Sequence, residues 1–293
     1  MEGPARDEVA QARERVRLLS IFDAQMRGGD RMQLPAGVHQ EADGPVHRRW
    51  GGGARGLVTG PSLAQLEDRQ LDALIEKQIA FFEQLNLAFE WKTYAHDGRA
   101  DLPRRLTSHG LIPEEPESLV IGRISELTQE PQLPERVGLR EAHSRADADQ
   151  LAELLSTVAG ADRGYLGRLF FEEHLANPDH VVLLVAESAG KVVASARLNL
   201  EPGSEFGSLW SGSVLPEWRG QGIYRALVAW RAQRAAARGY RYLQVDATES
   251  SRPILERLGF QTVGSTTPYC WTPSRVAPAR RGAEAPVSEA QST

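Results

Sequence analysis

The stretch from Val214 to Leu227, VLPEWRGQGIYRAL, governs how the rest of the chain is read. An apolar, strand-like run over 208–214 leads into it and reaches Pro216. Arg219 to Gly222 then supplies two glycines, and an amphipathic helix opens at once, over about 221–238. The first backbone N–H groups of a helix lack intrahelical partners, and the aligned peptide dipoles add partial positive charge, so an anion is stabilised there. Glycines let a bulky phosphate approach those amides.

On either side of this loop the C-terminal half reads as alternating strands and helices. A strand is expected over 136–141, a helix over 147–158 with Leu151, Leu154 and Leu155 on one face, and a second helix over 165–175. Residues 181–187 and 192–200 form two strands joined by a turn, hence a hairpin. Beyond the glycine loop and its helix come a strand over 242–246, a short helix over 252–258 ended by Gly259, and one or two last strands over 260–271. The residues after about 273 are rich in Ala, Pro, Ser, Glu and Arg, a composition expected of a disordered tail, 274–293.

This order of elements, together with VLPEWRGQGIYRAL and the later PILERLGF (Pro253 to Phe260), resembles the GCN5-related N-acetyltransferase (GNAT) family over about 136–271. The family's RxxGxG/A loop is matched by Arg219, Gly220, Gln221, Gly222, Ile223 and Tyr224, with Tyr224 in place of the small last residue. The resemblance implies an α/β (α+β) fold with a mixed, mostly antiparallel central sheet flanked by helices. It also implies that the backbone amides of Gly220, Gln221, Gly222, Ile223, Tyr224 and Arg225 hold the pyrophosphate of acetyl-CoA. Gly212, Ser213 and Val214 would pair with the pantetheine arm as an added strand. Family members often carry a proton-donating tyrosine four residues before the final GF glycine. Here that position is Leu255, so Tyr269 on the last strand is the substitute, with Glu249 and Asp246 as candidate bases.

The N-terminal half offers a fainter echo. A helix at 5–19 carries Val9, Ala12, Val16 and Leu19 on one side, and the glycine-rich stretch 28–61 reads as loops with one short strand. A helix over 62–85, opened by a Ser62–Gln65 capping box, is followed by FEWKTY (Phe89 to Tyr94) and DLPRRLTSHGL (Asp101 to Leu111). The C-terminal half repeats that order in its long helix, YLQVDA (Tyr242 to Ala247) and RPILERLGF. An internal duplication is therefore expected, a tandem architecture with a degenerate GNAT-like first domain at 1–130, a GNAT domain at 135–273, and a junction in Glu130 to Pro134. His96 beside Asp97 is discounted as a catalytic pair, since neighbours on an extended chain point to opposite sides.

Composition narrows the function further. Of 293 residues, 34 are basic and 39 acidic, a net charge of −5 that does not suit a nucleic-acid-coating protein. The longest purely apolar run is about six residues, Val181 to Ala186, against roughly 20 for a membrane span. The N-terminus shows no secretory pattern, so a cytoplasmic protein is expected. Cys270 is the lone cysteine, which excludes an internal disulfide and a multi-cysteine metal site, and no metal is expected. The expected activity is direct transfer of an acetyl or other short acyl group from coenzyme A to a primary amine of a small molecule or peptide, by a monomer or homodimer. The alternative is a non-catalytic acyl-CoA sensor.

Overall fold

A computed structural model describes residues 3–29, 31–127 and 130–274. The chain begins with α1 (Gly3–Met26), followed by the strands β1 (Val38–Asp43), β2 (Val46–Gly51) and β3 (Ala54–Thr59). Next come α2 (Asp68–Gln84), β4 (Phe89–Tyr94), α3 (Leu102–Ser108), β5 (Ile112–Pro113), β6 (Glu117–Arg123) and α4 (Ile124–Leu127). The second half holds β7 (Gly138–Glu141), α5 (Arg145–Ala159), α6 (Gly164–Ala176), β8 (Val181–Ser188), β9 (Lys191–Leu200) and β10 (Phe206–Val214). It ends with α7 (Ile223–Ala236), β11 (Tyr242–Ala247), α8 (Arg252–Arg257) and β12 (Gln261–Trp271). Residues 275–293, most of the expected disordered tail, lie outside the described residues.

One continuous sheet runs β1-β2-β3-β4-β12-β6-β11-β10-β9-β8-β7, with β5 added beside β12. Only β3–β4 and β10–β11 pair in parallel; the other neighbours are antiparallel. The strand order is symmetric about its centre. β1, β2, β3, β4 and β6 of the first half correspond to β8, β9, β10, β11 and β12 of the second. The central strands are exchanged: β6 hydrogen-bonds to β11, and β12 to β4, while β6 and β12 pair with each other. Each half is thus closed by the last strand of the other, and the exchange crosses the junction expected near residue 130.

Four expectations are corrected in the first half. The glycine-rich stretch is a meander of three strands, not loops with one strand: Gly44, Gly52 and Gly53 form its turns, Gly51 ends β2, and Gly56 lies within β3, where the Phe82 ring leaves no room for a side chain. No strand is expected over 117–123, between Pro116 and Pro131, yet β6 there is a central strand with Leu119, Val120 and Ile121 buried. The helix α2 begins at Asp68, six residues later than expected. Gln70 Oε1 accepts the Glu67 backbone N–H at 2.9 Å, and the Ser62 hydroxyl donates instead to the Asp97 carbonyl. In α1 the buried side is Leu18 and Phe22, while Val9 and Val16 are 52% and 69% exposed.

Helices cover both faces of the sheet. On one side α2 and α3 pack over Phe89, Trp91, Tyr269 and Trp271, and α4, α7 and α8 over Val120, Leu198, Leu209 and Leu243. On the other side α1 lays Leu18 and Phe22 across Tyr94, Leu119, Ile121, Phe206 and Tyr242, bridging the exchanged strands. There α5 and α6 cover Val181, Leu183 and Val185. His96 and Asp97 both reach α1: His96 Nε2 lies 3.0 Å from Asp23, and Asp97 takes a two-pronged bond from buried Arg27 at 2.5 and 2.8 Å. They anchor a helix. Among the described residues no helix is long and apolar enough to cross a membrane.

Candidate functional site

The parallel pairing of β10 with β11 covers only Phe206–Ser208 against Tyr242–Gln244, and beyond that the strands part. A bulge between Trp210 and Ser213, with Ser211 in the left-handed region at φ 48°, also shifts β10 against β9. The edge of β10 from Leu209 to Val214 is therefore left without a strand on its β11 side. A cleft of about 1600 Å³ opens there.

The loop from β10 into α7 forms one end of the cleft. Gly220 and Gly222 adopt φ values of 75° and 86°, which side-chain-bearing residues rarely tolerate, and Gly222 is the N-cap of α7. No side chain caps this helix, and its first turn contains no acid. Among the described residues no backbone carbonyl takes up the N–H groups of residues 220–225. A Cβ built on Gly220 would meet nothing within 4 Å, so the amides stand behind open space. A pyrophosphate fits this donor set, as the sequence motif implies.

Most of the expected cofactor residues line the cleft: Gly212, Ser213, Val214, Arg219, Gly220, Gly222, Ile223, Tyr224 and Arg225. Gln221 does not; it points back, donating from Nε2 to the Glu217 carbonyl at 3.2 Å. Of the expected catalytic residues, Asp246 and Glu249 line the cleft and Tyr269 does not. Tyr269 is packed in the first-half core beside Trp91 and Trp271, because alternation along β12 turns its neighbour Pro268 toward the cleft and Tyr269 away. Leu255, at the position of the family's tyrosine, is buried in the second-half core. Tyr224 is the tyrosine among the cleft residues, and burial raises its phenol above the ordinary value, so it holds its proton at neutral pH.

The opposite wall comes from the first half and from the exchanged strands. Arg55, Glu90, Lys92, Glu114 and Glu117 face the same cleft as Asp246. Lys92 forms an ion pair with Asp246, whose other oxygen lies 3.4 Å from the Thr266 hydroxyl. Burial works against the Lys92 ammonium, yet Asp246 and Tyr94 outweigh it and hold the amine charged. Arg55 binds Glu114 at 2.8 Å and Glu90 at 2.5 Å and also donates to Cys270 Sγ at 3.0 Å. Burial nonetheless pushes the Cys270 thiol up to about 12, which leaves it a poor nucleophile.

Glu117 is the group the sequence reading missed. Burial, reinforced by repulsion from Asp246 and by Glu90 and Glu114, pushes its carboxyl up to about 7 against the pull of Lys92. A carboxyl titrating near neutrality beside a charged pair is a suitable proton acceptor. It stands on β6, opposite Thr266 of β12, and so enters the site only through the strand exchange. In sequence it sits in PEEPES, which carries no catalytic signature.

Residues 148–260 match the Acetyltransferase (GNAT) family. No curated protein matches the sequence. Among solved structures, a GCN5-related N-acetyltransferase from Kribbella flavida superposes with a TM-score of 0.61 at 14% identity, over 89% of this chain and 95% of that one. A tandem GNAT protein from the clavulanic acid biosynthesis pathway gives 0.60 at 12% identity, over 83% and 85%. A GCN5-related N-acetyltransferase from Sphaerobacter thermophilus gives 0.57 at 15% identity, over 74% and 72%. The second half of the chain is thus similar to the GNAT acetyltransferase family over residues 148–260, and the chain as a whole shares its fold with a tandem GNAT protein.

Proposed function

We propose that the chain is an acyl-CoA-dependent N-acyltransferase, moving a short acyl group, acetyl in the simplest case, to a primary amine of a small molecule or peptide. Its units are a degenerate GNAT-like domain at 1–130 and a GNAT domain at 135–273, each completed by a strand of the other. The observation that carries this reading is the meeting, in one cleft, of the uncapped α7 amides with a carboxyl on β6 whose affinity for protons is near neutral.

Backbone amides of residues 220–225, with Arg219 and Arg225, bind the diphosphate, and the free edge of β10 at Gly212–Val214 binds the pantetheine arm. An alkylammonium with a pKa near about 10 must lose a proton before it can attack. Glu117 takes that proton, directly or through water, and the acidic wall of Glu90, Glu114 and Asp246 attracts the cationic acceptor. Asp246, paired with Lys92, orients; Glu249, 87% exposed, stands at the rim and contributes charge. The amine nitrogen bonds to the thioester carbonyl carbon as the C–S bond breaks, the Tyr224 phenol protonates the departing thiolate, and the proton that the nitrogen sheds on becoming an amide returns, directly or through water, to the Tyr224 oxygen. Tyr269 has no part in this scheme, since its side chain lies in the first-half core.

The test is calorimetric titration with acetyl-CoA followed by measurement of thiol release across a panel of amines. Binding with turnover supports the enzyme. Binding without turnover on any amine makes the chain an acyl-CoA sensor, and absence of binding removes the cofactor assignment.

A further inference from the structure

Arg231 is the largest of the fully buried side chains, at 1% exposure, yet it lines the cleft. It projects from the sheet-facing side of α7, one helical turn past Leu227, toward the point where β10 and β11 part. Its Nε donates to the Leu227 carbonyl at 3.0 Å and its Nη1 to the Arg197 carbonyl at 3.2 Å. Among the described residues no carboxylate pairs with it. A guanidinium has five N–H donors, so bonds to these two carbonyls leave capacity for a further acceptor.

The opening toward Arg231 is shaped by Gly212. A Cβ there would lie 3.0 Å from the Tyr224 ring and 3.6 Å from Arg231 Nη2, so the missing side chain keeps a passage between the β10 bulge and the guanidinium. Burial without a counter-charge is costly, and it draws the Arg231 guanidinium down to about 10. A methionine or leucine would fill the same volume without that cost. The other buried arginines are paired: Arg27 with Asp97, and Arg197 with Glu173. Arg231 alone among these three faces the cleft, and it alone has no carboxylate.

We propose that the acyl group this chain transfers carries a carboxylate of its own, as a malonyl or succinyl group does, and that Arg231 is its receptor. This rests on the reading of the cleft as an acyl-CoA site. The far carboxylate would take a two-pronged bond from the guanidinium, the geometry for which arginine is suited. It passes through the reaction unchanged: the amide forms, the thiol leaves, and the proton transfers are those given above.

The test is calorimetry on the full chain with coenzyme A, acetyl-CoA, butyryl-CoA, malonyl-CoA and succinyl-CoA. Butyryl-CoA matches the succinyl chain in length without its charge. The dicarboxylic thioesters are expected to bind at least about tenfold more tightly than the neutral ones, the size of a hydrogen bond to a charged group. Arg231→Met should bring that ratio close to one, and Arg231→Lys, which keeps the charge but loses the fork, should retain part of it. Equal binding of charged and neutral thioesters by the wild-type chain overturns the proposal and leaves the acyl-CoA reading standing, and it needs no variant to fold. Failure of coenzyme A and every thioester to bind overturns both.

Discussion

The two halves of this chain build the same junction twice, and they fill it differently. In each, a parallel strand pair holds for three residues and a helix packs over it: Gly56–Val58 with Phe89–Trp91 under α2, and Phe206–Ser208 with Tyr242–Gln244 under α7. In the first half the helix begins with acid, Glu67 and Asp68, and Gln70 closes its entry. Phe82 stacks on Phe89 at 4.5 Å, so close to the strand that a Cβ on Gly56 would fall 2.1 Å from its ring. In the second half the helix starts at a left-handed glycine with no acid and no side-chain cap. One helix start is supplied with negative charge by its own sequence; the other has none, and it is there that the proposed function seats a diphosphate. The same junction is packed shut in one half and left open in the other according to the residues of the helix that covers it.

This contrast can be broken at several points. Glu117→Gln is expected to lower turnover by about 10²- to 10⁴-fold, the usual range for loss of a general base. In the wild type the rate should rise with pH through about 7 as the carboxylate forms, and the variant should lose that limb. The same raised affinity carries a stability sign. The folded state holds this proton more tightly than the unfolded chain, so the wild type loses stability as pH climbs from the ordinary carboxylate range through about 7. Melting curves of Glu117→Gln should therefore show an advantage over the wild type above about pH 7 and none below the ordinary range.

Phe82→Ala removes the ring that fills the first-half junction, and denaturant unfolding should register a loss of about 3–5 kcal/mol. If the variant also gained a second coenzyme A site, the difference between the halves would lie in that one side chain; no gain is expected, because the acidic helix start remains. Gly222→Glu places bulk and negative charge against the uncapped amides and should weaken acetyl-CoA binding at least about tenfold, roughly 1.4 kcal/mol. Unchanged affinity in a folded variant would falsify the cradle assignment. Lys92→Met sharpens the wall that the first half contributes: with the ammonium gone, the limb of the pH–rate profile should move to higher pH, since Lys92 holds the Glu117 carboxyl down. The smallest effect is expected of Cys270→Ser, with turnover within about twofold of wild type, as a thiol this weakly acidic does not act as a nucleophile.

Elements with strong local signals are legible in the amino-acid order alone. The hairpin of β8 and β9, the helices α5 to α7, and the RGQG loop of Arg219 to Gly222 can be read locally, because apolar period and glycine chemistry act over a few residues. The repeat of helix, strand and short helix was legible for the same reason, and it pointed to the two related halves. Tertiary structure decided what no local signal carries: that the last strands are exchanged, that β6 lies at the centre of the sheet, and that Tyr269 faces a core. It also brought Glu117 to Asp246 across 129 residues of chain, and it left Arg231 buried without a carboxylate. Strand pairing is a choice among distant partners, made by the free energy of burying both faces of the whole sheet, and a carboxyl acquires a near-neutral affinity for protons only from neighbours that such a choice assembles.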